Sequence, residues 1–233
     1  MRKTVKQEII IDFVKREFKK NVSNIYTVGN KKRVWCIECS DGTKLRYDHY
    51  HKKYIKLQML VWSKGLNVPK VLKEVDFPQK TRFCEWIEGK LIREMWREDE
   101  VFIKAGELMA QINNIRCPTT KKYITNSDFN PSNLVWTKDK KLYMIDFNTA
   151  KKWDSPKDVD RLAASCIAKY YQYWPKWADQ NKEKKIRGPR KKMELFLEGY
   201  QKYRDTKQIV RLLNKCKWQF NKQEFIQYKL KGW

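Results

Sequence analysis

Asp128 and Asn133 stand five residues apart in the polar turn "SDFNPSN", and Asp146 closes the apolar run Leu142-Tyr143-Met144-Ile145. Two carboxylates and a carboxamide at strand and loop ends suit metal-dependent phosphoryl transfer. That chemistry needs a carboxylate to orient or deprotonate an attacking hydroxyl, and oxygen ligands for Mg2+ bridging the phosphates of a nucleotide. An Asp with an Asn five residues on, across a turn holding Pro131, can aim both side chains into one cleft. An Asp at the end of a buried strand is held rigidly enough to supply a metal position. Taken singly, each residue also fits ordinary turn and cap chemistry, which favours Asp and Asn.

The elements that must position these residues follow from the periodicity. Residues 5–20 carry apolar side chains at helical spacing. From Val22 the pattern becomes short alternating runs, "NIYTVG", "RVWCIECS" and "TKLRYDHY", and Asp41-Gly42 between the second and third predicts a tight hairpin. A helix follows, with Tyr54, Leu57, Leu60 and Val61 on one face and Gly65 as its C-cap. Two more strands are expected in "NVPKVLKEVD" and "TRFCEWIEG". Residues 1–88, with a leading helix in 1–21, thus read as a small α+β lobe. Residues 89–233 read as a mainly helical lobe, with helices expected in 100–115, 158–174, 191–204 and 207–220. It is interrupted by two short strands, "NLVWT" and "LYMID", which bracket the acidic residues. No internal repeat is visible, and 179–192 reads as a charged loop.

Composition bounds the function. A chain of 233 residues, 41% hydrophobic and 14% aromatic, is long and apolar enough to fold around a sizeable core. No apolar run approaches the roughly 20 residues that span a bilayer, and the N-terminus has charges threaded through it, so the cytoplasm is expected, or the periphery of the inner membrane face. Fifty-two Lys and Arg against 27 Asp and Glu give a net charge of +25, and His49 to Lys73 holds no acid at all. A lysine-rich composition explains many lysines but not the shortage of acids, so an anionic partner is expected: lipopolysaccharide, a membrane surface or nucleic acid. Cys36 and Cys39 form a C-x-x-C, but no second ligand pair exists, and positions three apart on a strand face opposite ways. The six cysteines are read as buried, reduced thiols. His49 and His51, with no Cys, Ser or acid partner beside them, are read as surface residues at a helix start.

"SDFNPSNLV…LYMIDFNTA" resembles the catalytic and metal-binding segments of the protein-kinase-like superfamily. It is nearest to the small-molecule branch of aminoglycoside phosphotransferases, choline kinases and lipopolysaccharide Kdo kinases. "FCEWIEGK" resembles the hinge of that family, "GLNVPKVL" its glycine-to-Val-Pro link, "DVDRLA" the helix after the metal-binding Asp, and "FLEGY" a late helix. The resemblance covers about Ile25 to Tyr200 in the right order. It implies a two-lobed α+β kinase-like fold and an ATP- and Mg2+-dependent phosphotransferase acting on a hydroxyl of a non-protein acceptor. By the resemblance Asp128 is the catalytic residue, and Asn133 and Asp146 are the metal ligands. Arg46 falls where the family anchors phosphate, Gly29 lies in the short loop over the nucleotide, and the backbone near Glu85 and Ile87 meets the adenine edge.

The sequence also departs from the family pattern. Asn126-Ser127 replaces the usual His-Gly before Asp128, and the helix of the first lobe lacks the family's glutamate, with Tyr54 or Gln58 at that position. Arg46 is left to be oriented by Asp48 or by the nucleotide. The basic surface favours an anionic glycan or lipid-linked sugar as acceptor. The alternatives are a catalytically impaired pseudokinase serving as a basic binding module, and a nucleic-acid-binding protein. "YYQYWPKW" could box a quaternary ammonium, but helical core packing explains it better. Asp154, Asp158, Asp160 and Asp179 could line a pocket for a cation or cap helices.

Overall fold

Alternating apolar residues in the first third of the chain build a five-stranded antiparallel sheet. In the computed structural model, which describes residues 5–28, 34–50, 52–76, 80–95, 97–167 and 189–215, its strands are β1 (Val22–Val28), β2 (Val34–Cys39), β3 (Lys44–His49), β4 (Val71–Val75) and β5 (Thr81–Glu85), in the order β1-β2-β3-β5-β4. Gly42 and Gly65, at φ 82° and 76°, supply the left-handed residues that close the β2–β3 turn and follow helix α2 (Lys52–Ser63). Gly29, His51, residues 170–177, Asp179 and Cys216 lie outside the described residues.

The period-2 pattern gives the sheet two different faces. Ile25, Ile37, Leu45 and Phe83 point to one side, where Ile10 and Val14 of helix α1 (Val5–Phe18) cover them. Phe13 stacks on Phe83 at 4.9 Å between ring centroids. The opposite parity carries Cys36, Arg46, Asp48, Arg82 and Cys84, all buried. This charged face receives Gln58 of α2.

The chain divides into two compact units. One comprises residues 1–59 and 69–87, the other residues 60–68 and 88–233. In the second, β6 (Lys90–Leu91), β8 (Leu134–Trp136) and β9 (Leu142–Met144) form a three-stranded sheet, while β7 (Tyr123–Asn126) pairs with β10 (Ala150–Trp153). Helix α3 (Asp99–Asn114) turns Val101, Phe102, Ala105, Leu108, Met109 and Ile112 inward. A further helix, α4, runs over residues 156–167, followed by α5 (Pro189–Gln201) and α6 (Lys207–Lys215). Among the described residues, no helix is long and apolar enough to cross a membrane.

Helices α3 and α5 meet backbone to backbone. A Cβ on Gly106 would fall 1.9 Å from the Phe196 carbonyl oxygen, and one on Gly199 would fall 1.9 Å from that of Ile103. Polar ties flank the crossing: Lys191 reaches Asp99 at 2.6 Å, Lys202 reaches Glu107 at 2.8 Å, and the Asn113 amide donates to the Tyr200 hydroxyl at 3.1 Å. Gly106→Ala would force the helices apart, since neither blocking atom is a movable side-chain end. It is expected to lower unfolding free energy by about 1–3 kcal/mol, as other overpacked cores do, measured by urea denaturation. An unchanged midpoint would mean that the crossing relaxes freely.

Candidate active site

The loop from Asn126 to Asn133 is built around two apolar pegs and a run of amides. Phe129 and Pro131 are buried, and the Phe129 ring meets Phe196 of α5 edge-on at 6.1 Å. Asp128, between the pegs and the strand end, is exposed. Its carboxylate accepts from the Asn130 amide and the Asn133 amide, each at 2.8 Å. Asn130 also caps the 3-10 turn Pro131–Asn133 by accepting the Ser132 N–H at 2.9 Å. The turn that pure cap chemistry would explain is therefore present, and it also holds the Asp128 carboxylate in one orientation.

Asn133 and Asp146 arrive at the same end of a hairpin. Leu134 pairs with Met144 in the β8–β9 ladder, and one step further the Ile145 N–H donates to the Asn133 carbonyl at 2.9 Å. One oxygen of Asp146 accepts the Asn148 N–H at 2.8 Å, forming a tight turn. The Asn133 amide nitrogen donates to Asp128, which turns its amide oxygen the other way. An amide oxygen and a carboxylate are hard ligands, so this pair fits Mg2+ and not a thiophilic metal. Among the described residues no group of three or more His, Cys, Asp or Glu is placed to hold a metal. A Mg2+ ion that draws most of its ligands from phosphates and water needs no such group.

Asn126 ties these pieces together, a role that the sequence did not reveal. It is buried, and its amide donates to the Asp146 carbonyl at 2.5 Å. Its side-chain oxygen accepts the Asp128 N–H at 2.9 Å and the Thr149 hydroxyl at 2.5 Å. One short side chain thus links the backbone of Asp128 to that of Asp146. The signal in the sequence was a polar residue closing the apolar strand "YIT", at a position where solvent does not satisfy it.

The acids near the start of α4 are spoken for. Ser155 and Asp158 cap it reciprocally, with the Asp158 N–H donating to the Ser155 hydroxyl at 3.2 Å and that hydroxyl donating to the Asp158 carboxylate at 2.9 Å. Asp160 holds Arg204 at 2.8 Å, and Asp154 pairs with Lys122.

In the other unit, Arg46 lies in a cross-strand row between Cys36 and Cys84. Cys36, Cys39, Cys84, Cys117 and Cys166 are buried and in no disulfide. Asp48, two residues beyond Arg46 on the same face of β3, accepts from Arg46 Nε at 2.9 Å and from Nη2 at 2.7 Å. Arg82 stands directly opposite Asp48 on β5 and grips it with Nε at 2.6 Å and Nη2 at 3.1 Å. Gln58 of α2 accepts from Arg82 Nη1 at 2.6 Å and donates to the Pro69 carbonyl at 2.6 Å. Burial alone would raise the Asp48 pKa. The charges of Arg46 and Arg82, with hydrogen bonds from both, outweigh it and hold the carboxyl below the usual range. Glu85 spends its N–H on the Lys70 carbonyl at 2.9 Å.

No protein-family model matches the sequence, and no curated protein matches it either. Solved structures do match. An aminoglycoside phosphotransferase from Alicyclobacillus acidocaldarius is 9% identical, with TM-score 0.61 over 83% of this chain and 77% of that one. A spectinomycin phosphotransferase crystallised with ADP and spectinomycin is 10% identical, with TM-score 0.62 over 89% and 83%. An ethanolamine kinase from Plasmodium vivax is 11% identical, with TM-score 0.59 over 83% and 71%. The chain shares the kinase-like fold of these small-molecule phosphotransferases and kinases.

Proposed function

We propose that the protein transfers the γ-phosphate of ATP to a hydroxyl of a non-protein acceptor. The observation that supports this reading most, in a chain with this fold, is that Asn133 is hydrogen-bonded to Asp128 while Asn126 joins the backbones of Asp128 and Asp146. Asp128, exposed and held in one orientation by two amides, orients the acceptor hydroxyl and takes its proton. Asn133 and Asp146 hold Mg2+, which when bound neutralises charge on the phosphates. Arg46 binds phosphate through its planar fork, and the backbone at Glu85 and Ile87 receives the adenine. Catalysis by such a site is mainly positioning and charge neutralisation.

The net charge of +25 favours an acceptor that is anionic or sits on an anionic scaffold, such as a lipid-linked sugar or a phosphorylated glycan. A cationic acceptor would need acids at its site, and Asp154, Asp158 and Asp160 are each engaged by local partners.

Thermal melting with MgATP and MgGTP tests the reading. A rise of the melting temperature with nucleotide is expected for the wild type, and it should vanish in Asp146→Ala, because a ligand that binds only the folded state stabilises it by mass action. No rise at nucleotide concentrations well above millimolar would leave the basic surface, not the kinase-like site, as the functional part of the protein.

A further inference from the structure

Resting on the reading of Arg46 as a phosphate anchor, we propose that Asp48 and Arg82 are the positioning residues of that anchor, so that the sheet and not helix α2 sets its guanidinium against the nucleotide phosphates. The arrangement follows from strand geometry. Arg46 and Asp48 share a face of β3 by their spacing of two, and Arg82 is the residue directly across from Asp48. Arg82 takes both carboxylate oxygens of Asp48 with Nε and Nη2, which fixes the carboxylate plane. Oxygen Oδ2 then receives Nε and Nη2 of Arg46, which fixes the guanidinium plane.

Arg82 is 1% exposed and has no route to a ligand of its own, so any effect it has on phosphate runs through Asp48. Two guanidiniums share the Asp48 carboxylate here. Helix α2 reaches the cluster through neutral Gln58, whose contacts are with Arg82 and the Pro69 carbonyl. A buried ion cluster stabilises a fold little more than apolar residues of equal volume would. Stability alone therefore gives no reason for three ionised side chains on this face.

The test is isothermal titration of the full chain with MgATP and, separately, with adenosine, which lacks the phosphates. Asp48→Asn and Arg82→Lys are the variants; the second keeps the buried charge, and so the fold, but loses the fork. Both are expected to weaken MgATP about tenfold, the scale of one charged hydrogen bond, with adenosine affinity unchanged. Gln58→Ala is expected to leave the ratio of the two affinities as in the wild type. Equal weakening of both ligands, or unchanged MgATP binding in Arg82→Lys, would overturn the inference, because the cluster would then be structural only. A phosphate-selective loss in Gln58→Ala would also overturn it and assign the positioning to α2. If the wild type itself bound MgATP no better than adenosine, the phosphate-anchor reading would fail, and this inference with it.

Discussion

Asp128→Ala is expected to slow MgATP turnover, followed as ADP release, by about 10²- to 10⁴-fold, the usual contribution of a positioned acid–base group. The nucleotide affinity should stay near that of the wild type, because the role proposed for the side chain is toward the acceptor hydroxyl and not the nucleotide. The fold should also survive. Asp128 is exposed, and the two amides that lose their acceptor, on Asn130 and Asn133, lie where water can replace it. The loop keeps its apolar pegs, Phe129 and Pro131. A low rate with intact affinity and melting temperature is therefore the signature of a catalytic role. Turnover at the wild-type rate would remove Asp128 from the chemistry and favour the pseudokinase alternative.

The largest stability effect is expected at Asp48. Asp48→Ala leaves two guanidiniums facing each other in a site where Arg82 is 1% and Arg46 8% exposed, and breaking a buried pair in this way costs about 3–5 kcal/mol. Replacing all three charged residues together, as Arg46→Met, Asp48→Leu and Arg82→Met, should cost less, because the two guanidiniums are removed along with the carboxylate they share. Urea denaturation of the two variants separates lost pairing from lost packing. The same group sets an acid limit. The folded Asp48 pKa lies below its unfolded value, so its contribution is fully present above about pH 4 and is lost as pH falls through the folded pKa. Wild-type stability should decline in that window, and the triple variant should lack this part of the decline. Equal acid sensitivity in both would show that other carboxylates dominate.

Much of this architecture was legible in the residues, because local signals agreed with the tertiary outcome. Asp41-Gly42 predicted a hairpin, and Gly42 sits there at positive φ between β2 and β3. The five alternating runs became five strands, with C-x-x-C split between the two faces of β2, Cys39 packed with the α1 core and Cys36 on the charged side. What escaped were residues whose meaning depends on partners distant in sequence. Arg82 looks like any strand arginine until β5 is set beside β3, although a charge at the same parity as buried Cys84 was a readable warning. Asn126 read only as a departure from the family's His-Gly pair, yet it joins two segments whose proximity no local pattern encodes. Strands β6, β7 and β10 were missed for the same reason. They are short, and their pairing supplies the order that their own sequence does not.

The glycine crossing of α3 and α5 also bears on the order in which the protein takes shape as it is synthesised. Helix α3 emerges early, but the surface that covers Gly106, and the Phe196 ring against which Phe129 packs, belong to a helix made much later. Contacts so distant along the chain repay their loop-closure entropy only when both partners exist. Until α5 has left the ribosome, the nascent chain carries an uncovered apolar stripe on α3 and an Asp128 loop without its anchor. The sheet of the first unit has all of its strands by Glu85 and can close long before that. The first unit's sheet and the Asp128 loop would thus mature at different times, the loop only after α5 has been made.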